Sequence, residues 1–193
     1  LDGSVRDGSM NVYIATALTN TTNHNLLRDE LKSRYQIGLS YDWTISDTDE
    51  SDCVSYPRAQ KASNELGGIR YADVVVALLP GGRGTHVEFG YALALGKPII
   101  VHGPEEAING GYYECIFWAL DNQNILRVPR TEIRITDTRT GQMIDDVENY
   151  RFKSDVARLA ALVAQRVTVT KNLGVMGGVS RENDGPYERW LEL

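Results

Sequence analysis

The stretch from Asp73 to Leu79, DVVVALL, constrains the fold more strongly than any other part of the sequence. After its first residue it is continuously apolar, and Pro80 and a cluster of glycines end it. Its length is that of a buried strand and far short of a membrane span. Pro98–His102 has the same character. Strands that are apolar on both sides are typical of a parallel sheet with helices on both faces, so the sequence predicts an α/β fold.

Helical segments alternate with the strands along the chain. One helix is expected after residues 19–25, a second at Pro57, a third after the glycine cluster, and a last one capped by Ser154. Weaker patterns suggest a helix over residues 112–120 and a hairpin over residues 132–144. The predicted strands cover residues 11–17, 37–43, 73–79, 98–102 and 125–128. This alternation predicts a single doubly wound, flavodoxin-like (Rossmann-like) parallel sheet of five strands, with ligands bound at the carboxyl ends of the strands.

The length of 193 residues leaves no room for two full domains. Residues 1–9, LDGSVRDGS, are expected to be a tag or a flexible arm, because no apolar segment of a signal peptide follows them. Residues 10–170 are assigned to one domain. Residues 171–193 form a glycine-rich tail, for which an ordered wrap and a contact with a partner are both open.

Charge and cysteine content narrow the class of function. Twenty Lys and Arg residues stand against twenty-six Asp and Glu residues, for a net charge of −6, which disfavours binding to nucleic acid polymers and to membranes. Cys53 and Cys115 form no CxxC pair, so neither a disulfide framework nor a zinc site is implied. We expect a cytoplasmic protein that acts on small molecules without a metal or another cofactor.

The glycine cluster is the first indication of a functional site. Glycines between a buried strand and a helix let the backbone approach a ligand closely, and the helix N-terminus offers free N–H groups. Glu88 is predicted in the first turn of this helix, beside the expected crevice. Position alone leaves two equally good interpretations of Glu88: it interacts only with the helix dipole, or it is a functional carboxylate.

Three separate motifs resemble the nucleoside 2-deoxyribosyltransferase family. The segment Glu88-Phe89-Gly90-Tyr91-Ala92, followed by Gly96-Lys97, matches the family's pattern of a catalytic Glu, Gly-Tyr-Ala and a short helix. Glu65 lies eight positions before Asp73, where the family has an Asp in the same context. Tyr13 lies on the first strand, where the family has a Tyr. The resemblance spans residues 11–102.

The resemblance implies a role for each of these residues. Glu88 would be the nucleophile at C1′ of the sugar, Glu65 the general acid and base at the nucleobase, and Tyr13 the group that orients Glu88. The covalent glycosyl intermediate would pass to a free nucleobase in a transferase or to water in a hydrolase. The resemblance further implies a homo-oligomer. Trp43 is predicted either to stack on the base or to belong to the core.

The glycine loop also departs from the family. Gly82 stands six residues before Glu88, where the transferases have a sugar-holding Asp. Related deoxynucleoside 5′-monophosphate N-hydrolases use a Ser there and a Gly-Ser-Ile-Arg segment, which residues 16–19 lack, so that type of hydrolase is disfavoured. The loop also resembles the PGGxGTxxE motif of the Lonely Guy phosphoribohydrolases. We therefore expect substrate binding by four residues that follow Gly81: Gly82, Arg83, Gly84 and Thr85.

Three functions thus remain open. The first is a nucleoside deoxyribosyltransferase that binds a nucleoside and a free nucleobase. The second is an N-glycosidase that hydrolyses nucleoside 5′-monophosphates. The third is a nucleotide sensor without catalytic activity, because a fold alone does not fix function.

Overall fold

The fold is built on one parallel sheet of five strands. The computed structural model describes residues 10–45, 55–109, 116–131 and 148–177. The strands are β1 (Asn11–Ala15), β2 (Gly38–Leu39), β3 (Val74–Leu78), β4 (Ile99–Gly103) and β5 (Ile125–Pro129). They are arranged in the order β2-β1-β3-β4-β5, and every neighbouring pair is parallel. The predicted five-stranded, doubly wound α/β fold is therefore confirmed.

Helices follow the strands along the chain. They are α1 (Thr21–Tyr35), α2 (Ser55–Tyr71), α3 (Arg83–Ala94), α4 (Glu105–Ile108) and α5 (Glu148–Gly177). Single 3₁₀ turns cover Leu18–Asn20 and Ile116–Ala119. Within the described ranges, no helix combines the length and the apolar character that a membrane crossing would require.

The sheet buries two separate apolar cores, one on each face. Val12 and Ile14 of β1 point to one side, where α1 and α5 pack, and we call this the α1–α5 face. Tyr13 and Ala15 point to the other side, where α2 and α3 pack, which we call the α2–α3 face. Because successive residues of a strand point to opposite faces, β1 contributes alternately to both cores.

The second strand is shorter than predicted. Only Gly38 and Leu39 pair with β1, whereas the sequence pattern predicted a strand from residue 37 to 43. Beyond Leu39 the aromatic side chains of Tyr41 and Trp43 pack on the core of the α2–α3 face. The chain leaves the sheet edge because these side chains are buried over the sheet rather than along its edge.

The last helix begins earlier than predicted, so the assignment of Ser154 as its cap is wrong. Phe152 is buried in the same core as Leu159 and Val163, and the apolar stripe of α5 therefore starts before Ser154. Ser154 is exposed inside the helix. The helix continues past residue 170 to Gly177.

Several other predictions are only partly covered by the structure. Of the helix expected over residues 112–120, the described part is the 3₁₀ turn Ile116–Ala119. The hairpin expected over residues 132–144, the arm 1–9 and residues 178–193 of the tail lie outside the described residues.

Candidate active site

A cleft of about 320 Å³ opens at the carboxyl ends of β1 and β3. This is the point where the chain order of the sheet reverses, since β1 is followed by β2 on one side and β3 lies on its other side. Open α/β sheets bind their ligands at such switch points. The cleft is lined by Thr16, Ala17, Leu18, Thr19, Trp43, Lys61, Glu65, Gly82, Arg83, Gly84, Thr85 and Glu88.

A wider groove of about 860 Å³ runs along α1 and the edge strand β2. Arg28 lies in this groove and pairs with Asp29 at 2.9 Å and with Asp42 at 3.1 Å. The charge of Arg28 is thus already paired with carboxylates, and the predicted site residues lie elsewhere. We therefore place the candidate active site in the cleft.

Glu88 forms the floor of the cleft together with a tyrosine beneath it. Its side chain is 7% exposed, and the hydroxyl of Tyr13, on β1, donates a hydrogen bond to its Oε1 atom. Because α3 begins at Arg83, Glu88 is the sixth helical residue and not part of the first turn as predicted. The dipole of a helix acts mainly within its first turn, so a dipole partner is a weak explanation for this carboxylate.

A glycine in α2 makes room for the Tyr13 ring. A Cβ atom at Gly68 would lie 3.0 Å from Cδ2 of Tyr13 and 2.6 Å from Cβ of Tyr41. A side chain at this position would therefore push the two tyrosines away. Glycine costs helix stability, yet α2 continues beyond it to Tyr71. Gly68 thus allows Tyr13 to reach Glu88.

The surroundings of Glu88 favour its neutral form. Burial is the largest cause, and it raises the pKa of Glu88 to about 7, with a further increase from the charge of Glu65 and an opposing decrease from the hydrogen bond of Tyr13. Burial and then the charge of Glu88 raise the pKa of Tyr13. Tyr13 therefore remains a hydrogen-bond donor, while Glu88 changes its ionisation near neutral pH. Such a shift in a cleft is typical of a functional carboxylate.

Helix α2 supplies a second carboxylate and a cation to the same cleft. Glu65 is partly buried and lines the cleft, as does Lys61 one helical turn earlier. Side chains four residues apart are neighbours on a helix surface. Lys61 is not among the predicted site residues, although its spacing of four residues from Glu65 is a signal that could have indicated it.

The glycine loop is shaped by Thr85. The backbone N–H of Gly82 donates to Oγ1 of Thr85 at 3.0 Å, and Thr85 is buried. A Cβ atom at Gly81 would lie 2.8 Å from Cβ of Thr85, so position 81 requires glycine. At Gly82 a Cβ atom would lie 3.7 Å from Ala17, which is an ordinary contact. Arg83 is exposed at the first position of α3 and lines the cleft.

Trp43 belongs both to the core and to the cleft. It is 5% exposed, its indole N–H donates to the carbonyl of Ile14 at 3.0 Å, and His24 packs edge-on against it with ring centroids 4.9 Å apart. His86 contacts the backbone of its own loop, because its Nδ1 lies 2.7 Å from the carbonyl oxygen of Gly82.

The structure brings the predicted site residues together. Glu88, Glu65, Trp43 and the four loop residues 82–85 all line one cleft, and Tyr13 lies beneath it in contact with Glu88. In the described ranges, no group of His, Cys, Asp and Glu side chains is arranged to hold a metal ion.

A solved structure has a partly similar fold. No protein-family model and no curated protein matches the sequence. Among solved structures, the chain is similar to the CMP N-glycosidase BcmB of Clostridium botulinum, with a TM-score of 0.45 and 18% sequence identity. The match covers 75% of this chain and 98% of that one.

Proposed function

We propose that the protein cleaves the N-glycosidic bond of nucleosides or deoxynucleosides and transfers the sugar to another nucleobase. One observation carries the proposal. A buried carboxylate, Glu88, is held by the hydroxyl of Tyr13 at the floor of a cleft that a second carboxylate, Glu65, also lines. A pair of carboxylates in different surroundings can divide the roles of nucleophile and acid.

In the first step of the proposed reaction, the Glu88 carboxylate attacks C1′ of the sugar. The C1′–N bond breaks, its electron pair stays on the base nitrogen, and the base receives a proton from Glu65. In the second step, a nitrogen of another base attacks C1′ and gives up a proton to Glu65, which releases Glu88. Water in place of the second base would give hydrolysis by the same steps.

Tyr13 has a positioning role in this scheme. Its hydroxyl fixes one oxygen of Glu88 and stabilises the ionised carboxylate. Because Tyr13 is itself buried and retains its proton, it does not compete with Glu88 as a nucleophile. Burial of the carboxylate also removes the water that would otherwise weaken its interaction with positive charge at C1′.

Two cations support a second candidate function, an N-glycosidase that acts on nucleoside 5′-monophosphates. Lys61 and Arg83 both line the cleft, on different helices, and Arg side chains bind phosphate well. Gly82, which precedes Arg83, has no side chain that would keep a phosphate from the loop backbone.

One experiment separates the three candidate functions. The protein is incubated with a 2′-deoxynucleoside, or with its 5′-monophosphate, in the presence and absence of a second free base, and the products are separated by chromatography. Exchange of bases supports the transferase. Free base together with a sugar phosphate supports the nucleotide hydrolase. Binding of a nucleotide without turnover of any donor would contradict both and leave the sensor.

A further inference from the structure

Arg83 and Lys61, the two cations that line the cleft, belong to different helices. Arg83 is exposed at the start of α3, in the helix that also carries Glu88. Lys61 is partly buried on α2, one turn before Glu65. The nucleophile and the acid of the proposed reaction are therefore each accompanied by one cation on their own helix.

The direction of the displacement distinguishes these positions. A carboxylate that attacks C1′ expels the leaving group on the opposite side of that carbon. The base therefore departs away from the Glu88 carboxylate, and in the proposed reaction it departs toward Glu65, which protonates it. Glu65 and Lys61 both line the cleft, one helical turn apart on α2. Lys61 is thus the cation on the helix of the acid that meets the departing base, whereas Arg83 is on the helix of the nucleophile.

We propose that the Lys61 ammonium group contacts the departing nucleobase and stabilises the negative charge that forms on it. This inference rests on the proposed function. As the C1′–N bond breaks, its electron pair moves onto the base nitrogen and into the ring, and the proton comes from Glu65. Lys61 donates a hydrogen bond to the base and retains its proton throughout. Fixed positive charge placed where negative charge develops lowers the barrier of the step.

Such a role makes the benefit of Lys61 depend on the leaving group. A nucleobase is a poor leaving group that needs both a proton and charge stabilisation. A p-nitrophenolate leaves without a proton and spreads its charge over its own ring. Loss of Lys61 is therefore expected to slow the release of a nucleobase much more than the release of p-nitrophenolate from the same sugar.

The test compares Lys61→Met with the wild-type protein on two donors that share one sugar, a nucleoside and the corresponding p-nitrophenyl glycoside. We expect kcat for the nucleoside to fall about 100-fold, in the range for removal of one donor that stabilises developing charge, and the ratio of the two kcat values to change at least about tenfold. Lys61→Arg keeps the charge and should recover part of the loss. Thermal unfolding of each variant shows whether it is folded.

Two control variants make the comparison specific. Arg83→Met removes the other cation of the cleft, and its effect should be equal for both donors because Arg83 is on the helix of the nucleophile and not on that of the acid. Lys32→Met removes an exposed lysine of α1, which packs on the other face of the sheet, and should leave both donors unaffected.

The possible failures are distinguishable. If the wild-type protein releases neither the nucleobase nor p-nitrophenolate, the proposed function fails and the role of Lys61 fails with it. If the wild-type protein cleaves the nucleoside while Lys61→Met slows both donors equally, the leaving-group role alone is overturned. A loss limited to donors that carry a 5′-phosphate would instead make Lys61 a phosphate ligand and would also overturn it.

Discussion

Two acidic side chains are buried on opposite faces of the sheet, and their surroundings differ. Glu88, on the α2–α3 face, receives a hydrogen bond from the Tyr13 hydroxyl and faces the charge of Glu65. Asp155, on α5, accepts hydrogen bonds from the backbone N–H of Thr131 at 2.7 Å, from its hydroxyl at 2.6 Å and from Arg158 at 2.9 Å. Both carboxylates are almost inaccessible to water.

The number and kind of donors decide which form of each acid is stable. Burial raises the pKa of both groups, but at Asp155 the hydrogen bonds of Thr131 and Arg158 outweigh it, and the pKa lies below its usual value. At Glu88 burial prevails, and the pKa is about 7. A buried carboxylate that accepts several hydrogen bonds stays ionised and stabilises the fold. A buried carboxylate with few donors has a raised pKa, which is typical of functional sites.

The largest effect is expected when Glu88 is replaced by an uncharged residue of the same shape. Glu88→Gln removes the nucleophile, so kcat should fall by at least about 10³-fold, as in other enzymes that lose their nucleophile. Release of nucleobase from a nucleoside measures this. Glu106→Gln, an exposed acid of α4, is the matched control and should keep full activity. An active Glu88→Gln protein would remove Glu88 from the mechanism.

The free energy of unfolding of Glu88→Gln also tests the difference between Glu88 and Asp155. The pKa of Glu88 is raised from 4.5 to about 7 in the folded protein. The contribution of Glu88 to the free energy of unfolding is therefore most favourable below pH 4.5 and is lost as the pH rises through 7. The total loss is on the order of 3 kcal/mol. Glu88→Gln should therefore be more stable than wild type above pH 7 and should lose this advantage in acid, as measured by denaturant unfolding.

A smaller effect on catalysis is expected for Tyr13→Phe. Loss of the Tyr13 hydroxyl should lower kcat/KM about tenfold to 100-fold, because the Glu88 carboxylate is no longer oriented by a hydrogen bond. The hydrogen bond of Tyr13 lowers the pKa of Glu88, so the acid limb of the pH profile should move to higher pH without it. Tyr35→Phe, on the α1–α5 face, is the control. An unchanged pH profile would contradict the contact.

Much of the fold could be predicted because burial on both faces leaves a direct trace in sequence. The runs at residues 74–79 and 99–101 are apolar throughout, and both form central strands. The edge strand β2 was overestimated because Tyr41 and Trp43 look like strand residues although they pack over the sheet. The start of α5 was placed too late because Ser154 resembles a cap, whereas the buried Phe152 shows that the helix begins before it.

The site could be predicted only in part. Position in the sequence identified Glu88 as a residue beside a glycine loop, but its neighbour Tyr13 lies 75 residues away, and only the family resemblance linked the two. Lys61 was missed because its importance depends on which side of α2 faces the cleft. The need for glycine at position 68 is not visible in the sequence, since the close approach of Tyr13 and Tyr41 depends on tertiary packing.

The contrast between the two acids also predicts the behaviour of Asp155→Asn. This variant leaves the donors of Thr131 and Arg158 facing a group that cannot accept all of their hydrogen bonds, so the free energy of unfolding should fall by about 3 kcal/mol. Activity per folded molecule should remain unchanged, because Asp155 lies on the face of the sheet opposite to the cleft. A stable but inactive Asp155→Asn protein would show that the two faces are coupled.

The smallest effect is expected for Arg158→Met. The guanidinium group is about half exposed, at 49%, and solvent screens its interaction with Asp155, so the loss of unfolding free energy should stay below about 1 kcal/mol. Both hydrogen bonds of Thr131 to Asp155 remain. The lost donor nevertheless raises the pKa of Asp155, and because a depressed pKa stabilises the fold only while the acid is ionised, acid unfolding should begin at a higher pH than in wild type. A loss as large as that of Asp155→Asn would mean that Arg158, rather than Thr131, keeps Asp155 ionised.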